Sequence, residues 1–161
     1  MRLLSVICAL CVLPVSAAVA QQAEVAAKPV SDTDIQLLRS DVQASKNDII
    51  AHTMQFNDTE SAAFWPVYRD YARDQSAIGD KRLQLIKDYA QKIDTLDDAT
   101  ANDLAKRQME IDSETAKLRS DYWPKFEKAI GAKRAAKFYQ VDTRLSLLIN
   151  FQLASEIPLI P

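Results

Sequence analysis

The sequence predicts an all-α fold, a long antiparallel helical hairpin flanked by two shorter helices. Three observations predict it. The chain has two glycines in 161 residues, against a usual share of about 7%, which leaves little for β-hairpins and bulges. From Asp58 to Ile130, apolar residues recur at helical spacing in two runs separated by Ile93-Asp94-Thr95-Leu96-Asp97. Phe64-Trp65-Pro66-Val67-Tyr68 in the first run returns as Tyr122-Trp123-Pro124-Lys125-Phe126 in the second, with residue 94 midway between the tryptophans. A chain that reverses there brings both Trp-Pro pairs to one level, with Trp65 and Trp123 side by side in the core.

Residues 1–20 combine Arg2, an apolar run from Leu3 to Val15 and an Ala18-Val19-Ala20 ending. This is the pattern of a cleaved secretory signal, too short for a membrane span, and it predicts an exported protein. Both cysteines, Cys8 and Cys11, fall inside it, so the exported chain is expected to lack disulfides and thiolate metal ligands. Residues 21–31 have no period and read as a flexible leader. Residues 32–155 read as one helical domain, and 156–161 as an apolar C-terminal tail that its prolines keep from being helical.

The first predicted helix covers about Asp32 to Thr53, with Ile35, Leu38, Val42, Ser45 and Ile49 as its inward stripe. His52 falls in its last turn, where the helix dipole favours a cation. Asn57 followed by Glu60 is a capping-box pattern, with Phe56 placed as a hydrophobic staple. The second helix then runs to about Ile93 on a seam of Phe64, Val67, Tyr68, Tyr71, Gln75, Ile78, Arg82, Leu85, Ile86, Tyr89 and Ile93, with a bend expected at Pro66. The third runs from Asp98 to Ile130 on Leu104, Gln108, Ile111, Thr115, Leu118, Tyr122, Phe126 and Ala129, and Gly131 supplies its C-terminal cap. The fourth covers Ala132 to Ser155 with Phe138, Val141, Leu145, Leu148 and Ile149 facing inward, and Leu147 and Phe151 on the far side as candidate self-contacts.

At about 1.5 Å per residue the second helix is about 50 Å long, and the short helices reach two-thirds of that. The hairpin tip should therefore project with only two helices. A second row of small and apolar residues runs along each arm, displaced about 100° from the seam. At the tip it leaves Leu83, Ala90, Ala105 and Met109 without a cover. An uncovered apolar strip marks an interface. It suits non-native or partner polypeptides, and equally a homodimer seam or a strip that helix 1 or the C-terminal tail covers.

The formal net charge is −2 with signs interleaved, as in Arg69, Asp70, Arg73 and Asp74, or Lys117, Arg119 and Asp121. That is a solvated helical surface, which argues against nucleic acid as a partner. His52 is the sole histidine, so triads with a catalytic histidine, HExxH and paired Glu-x-x-His ligands are all excluded. No glycine-rich phosphate loop exists. Neither an enzyme nor a cofactor is expected, and a metal-sensing role would rest on His52 and Met54 alone.

The exported helical chain, the capped Phe56-Asn57-Asp58-Thr59-Glu60 before a long helix and the hairpin with its closing helix resemble the Spy/CpxP family of periplasmic proteins. That family is marked by Leu-Thr-x-x-Gln motifs; Phe56, Asn57 and Glu60 stand at the Leu, Thr and Gln positions, analogous rather than identical. Ile130-Gly131-Ala132-Lys133-Arg134 is a second candidate that keeps only the apolar first position. The resemblance implies a Spy-like four-helix arrangement, a curved helical dimer and an ATP-independent chaperone or envelope-stress adaptor. A structural or oligomerising bundle of the envelope is the alternative reading.

Overall fold

The computed structural model describes residues 32–160. Residues 1–31, on which the expected signal sequence and leader fall, lie outside the described residues, as do the side chains of Ile35 and Leu38. Among the described residues the chain forms four α-helices and no strand: α1 (Asp32–Met54), α2 (Asp58–Lys92), α3 (Asp98–Ile130) and α4 (Ala132–Glu156). The fold is all-α, and a short 3-10 turn, Ile93–Thr95, reverses the chain between α2 and α3. No described helix is long and apolar enough to cross a membrane.

Local chemistry sets the ends. The Asn57 side chain accepts from the Glu60 amide at 2.9 Å, and the Glu60 carboxylate accepts from the Asn57 amide at 3.1 Å. This reciprocal pair satisfies two amides that the first turn of α2 leaves free. The Phe56 ring lies 4.5 Å from Phe64 and fixes the entry angle. Asp97 caps α3 by accepting from the Thr100 amide. Gly131 has φ of 77°, which a residue with a Cβ rarely adopts, and it ends α3 and starts α4 at a single position. Both long helices run through their internal prolines. Pro66 and Pro124 are exposed, as are Ala62 and Ser120 four residues before them, so water can serve the carbonyls the rings leave without a donor.

Two separate cores hold the helices. At the base, Phe64, Tyr68, Tyr71, Tyr122, Phe126 and Phe138 form an aromatic cluster with Ile50, Met54, Ile130 and Val141. Phe126 and Phe138 approach to 4.5 Å between ring centres, and Tyr71 meets Tyr122 edge-on at 5.4 Å, the tilted and edge-on arrangements that aromatic quadrupoles favour. Toward the tip, Leu85, Leu104 and Ile111 form a small aliphatic core with Ile78, Tyr89 and Leu96 around it. Ion pairs Arg82–Asp112 and Asp88–Arg107 cross between the arms outside it.

Three expectations need correction. Trp65 is half-buried and Trp123 is 36% exposed, and no ring contact joins them. The α2–α3 pairing sets Phe64 against Phe126, and Tyr71 against Tyr122, so the helical faces carrying phenylalanine and tyrosine make the core. The stripe expected to face inward on α1 faces out: Val42, Ser45 and Ile49 are exposed, while Lys46, Ile50 and Met54 are buried. On α4, Leu148 is exposed rather than inward, and Ile149 sits at the margin.

Candidate functional site

The polypeptide-binding strip read from the sequence is open in most of its members. Met109 is 68% exposed, Ala90 and Ala105 are exposed, and Leu83 is half-buried. The tip does not stand entirely bare. The Tyr89 hydroxyl donates to the Pro158 carbonyl at 2.8 Å, which ties the C-terminal tail to α2 near the reversal. Ile157 is half-buried, whereas Leu159 and Ile160 point into solvent. Leu147 and Phe151, the candidate self-contacts, are both exposed.

A second arrangement was not anticipated from the sequence. Asp142 of α4 is 1% exposed and sits inside the bundle. Its carboxylate accepts from the Tyr71 hydroxyl at 2.8 Å, and lies 3.5 Å from the Arg119 guanidinium and 3.7 Å from the Lys46 ammonium. Lys46 donates to Gln75 at 2.7 Å, Gln75 donates to the Tyr71 oxygen, and Arg119 donates to Ser146. Gln43 donates to the Tyr68 hydroxyl. All four helices thus meet in one polar network. Arg119 is a member of it rather than the solvated surface charge expected. Burial pulls the Lys46 pKa below the usual lysine range, and the facing Asp142 opposes that shift. Burial also pushes Tyr71 up, with Asp142 adding to the effect.

The network has the members of an acid–base cluster but no room for a substrate. The cavity beside Asp142, between Arg119, Trp123 and Tyr139, measures about 10 Å³, the space of a single water. Among the described residues no group of three or more His, Cys, Asp and Glu side chains could hold a metal ion. Exposed His52 lies in the last turn of α1. A wider hollow of about 570 Å³ opens over Lys133, Arg134, Lys137 and Gln140. Two of its cations already serve α1: Lys137 donates to the Thr53 carbonyl at 2.6 Å, and Arg134 to the Met54 and Gln55 carbonyls. They close the carbonyl end of that helix where its dipole is negative.

Arg134 does more than cap. Its guanidinium lies 2.9 Å from the Glu60 carboxylate and 5.4 Å from the Phe56 ring centre. The two segments that carry the family resemblance, 56–60 and 130–134, therefore meet at the base of the bundle.

The exposed surface of α4 is the largest departure from an ordinary helical bundle. Positions 133, 137, 140, 144, 147, 148, 151 and 155 share its outward face, and every one is exposed. That face is basic through Lys133, Lys137 and Arg144 and apolar through Leu147, Leu148 and Phe151. Between Arg144 and Glu156 the sequence carries no charge. No protein-family model, curated protein or solved structure matches the chain.

Proposed function

We propose that this chain is an exported, periplasmic polypeptide-binding module of the ATP-independent chaperone or envelope-stress adaptor type. One observation carries the reading. Along the outer half of a long hairpin, Ala90, Ala105 and Met109 stay exposed, and a tail is tethered there through one hydrogen bond at Tyr89. Small side chains flanked by mixed charges, with one flexible methionine, give a shallow surface that adapts to many apolar segments. The crossing charges Arg82–Asp112 and Asp88–Arg107 sit along the same arms, and surface charge of this kind favours fast, reversible encounter. The likeness to the Spy/CpxP family rests on Phe56, Asn57 and Glu60 at the motif positions and on the order of the helices, since the segment at 130–134 keeps only the apolar first position.

The test is suppression of aggregation of a chemically unfolded client, paired with photocrosslinking from position 109. Substoichiometric suppression and crosslinks to the client support the proposal. An unchanged aggregation rate at molar excess, with no crosslinked client, overturns it. The alternative, a structural bundle without clients, is favoured by the exposure of Leu147, Leu148 and Phe151. Metal sensing ranks behind both, because it would rest on His52 and Met54, two residues apart and not on one helical face.

A further inference from the structure

The last turns of α4 stand clear of the bundle, and their chemistry fits a membrane surface. We infer that the outward face of α4 docks on a lipid surface carrying anionic headgroups, with its C-terminal turns seated at the boundary between headgroups and acyl chains. The inference uses α4 and the tail rather than Ala90, Ala105 and Met109, so it stands whether or not the hairpin tip binds clients.

Exposure comes first. Every residue from Leu147 to Ser155 is exposed, a free length of about 13 Å. On the outward face Leu147, Leu148 and Phe151 are 63%, 67% and 75% exposed, and on the other sides Ile149 and Leu153 still reach 36% and 40%. The three outward side chains alone leave roughly 400 Å² of apolar surface wet, in the range of the largest patch on a typical monomer. A helix that is apolar all round is normally enclosed, by protein or by lipid. A second helix laid along this one would cover a single side, whereas an acyl-chain boundary surrounds every side that dips into it. Leu159 and Ile160, which follow the helix end, are exposed as well and enlarge the same apolar surface. α4 is not long and apolar enough to cross a membrane, so the contact is with one surface.

Charge selects the kind of surface. Ahead of its apolar end, the outward face carries Lys133, Lys137 and Arg144 and no acidic residue. The whole of α4 has four cations against two acids, one of them the buried Asp142, in a chain of formal net charge −2. From position 133 to 151 this face runs about 27 Å, so its cations and its apolar side chains can meet one plane together. Lys137 keeps its charge while it donates to the Thr53 carbonyl. Arg144 stands one turn before Leu147 and Leu148, where its stem can lie along the apolar boundary while the guanidinium reaches lipid phosphates. Cations bordering a short apolar surface are the pairing by which a helix rests on a bilayer without spanning it. Each lysine or arginine near the surface raises affinity for an anionic bilayer by about fivefold. An acidic polypeptide would answer the cations yet leave most sides of the projecting end wet.

The full chain, purified in the form the cell leaves it, should cosediment with vesicles of phosphatidylglycerol and phosphatidylcholine in equal parts. On vesicles of phosphatidylcholine alone it should bind at least about tenfold more weakly, and high salt should erase that difference. Phe151→Glu should lower the partition coefficient at least about tenfold on the mixed vesicles, while helicity by circular dichroism and the melting temperature stay close to the parent. Lys133→Gln/Arg144→Gln should lower it on the order of 20-fold on the mixed vesicles at low salt and leave it unchanged on phosphatidylcholine. Phe151→Trp should keep the binding and add an indole that lipids brominated high on their acyl chains quench beyond the level of the parent. Binding that survives Phe151→Glu, or equal binding to the two kinds of vesicle, would overturn the inference. So would a parent that ignores both vesicles and sediments as a dimer split by Phe151→Glu, since a second copy would then cover α4.

Discussion

Replacing Asp142 with alanine should be the most damaging single change in the polar network, and the reason lies in what it strands. Asp142 and Lys46 have side chains 2% and 8% exposed, so neither charge can turn to water without unpacking α1 from α4. With the carboxylate gone, the Lys46 ammonium loses its counter-charge, and the Tyr71 hydroxyl loses its acceptor. Breaking one side of a buried ion pair costs about 3–5 kcal/mol. For a domain of this size that corresponds to a drop of on the order of 10–20 °C in Tm. The companion variant is Lys46→Met/Asp142→Leu, which removes both charges and keeps the volume. It should recover the part of the loss owed to the stranded Lys46, because an apolar pair of similar shape is often as stable as the ion pair it replaces, while Arg119 and Tyr71 still lack the carboxylate. Chemical and thermal denaturation of the parent, both single variants and the double variant close a mutant cycle. A cost below about 1 kcal/mol for Asp142→Ala, or a double variant whose loss equals the sum of the singles, would refute the reasoning.

Two further outcomes follow from the same structure. Phe126→Ala removes a buried ring at the centre of the aromatic cluster and should cost about 3–5 kcal/mol in urea denaturation. Trp123→Ala, three residues away and partly in solvent, should cost less than half as much; equal losses would contradict the burial pattern. At high pH, burial pushes Tyr68 and Tyr122 up to about 12, and the Asp74 carboxylate bonded to Tyr122 adds to its shift. The unfolded chain releases these protons near pH 10 and the folded chain near 12, so their stabilisation is whole below pH 10 and is lost as pH rises between those values. Ultraviolet titration of tyrosinate together with melts at stepped pH should show the decline, and Tyr68→Phe/Tyr122→Phe should remove their share of it and leave that of Tyr71, which burial also pushes up.

How much of this was legible in the sequence depended on how local the physics was. The ends of α2, α3 and α4 were readable because Asn57 with Glu60, Asp97 and Gly131 act within one turn of where they stand. The reversal at 93–97 was readable from the repeat on either side of it. The inward face of α1 was not. Its apolar stripe through Val42 and Ile49 obeys helical spacing, yet the buried position belongs to Lys46. A lysine is buried only where a distant chain segment supplies a carboxylate, and α1 holds no trace of Asp142. The same holds for Arg119, whose neighbours Lys117 and Asp121 are solvated and paired with each other. The tryptophans misled for another reason: a repeated motif fixes the level of two residues along a hairpin, but not how each helix is turned about its own axis. Beyond Leu145, α4 is apolar on several sides at once, so periodicity could not say which side the bundle would take. The strip at the tip was readable as small residues in a row, but the tether from Tyr89 to the tail was not, because a backbone carbonyl leaves no mark in a sequence.

The hairpin's two cores have unequal shares of what keeps a protein shut. The aromatic base draws on all four helices, whereas the distal core rests on Leu85, Leu104 and Ile111 from two of them. Fluctuations that loosen the outer halves of the arms, joined as they are at the turn, sacrifice only a few aliphatic contacts and water-screened ion pairs, so they belong to the low-energy end of the opening spectrum. Amide protons around Leu85 and Leu104 should then exchange through an excursion that never disturbs Phe126. Such a molecule has a rigid base and a yielding tip, whose two arms, held together by the turn at 93–97, can loosen against each other while the base keeps its shape.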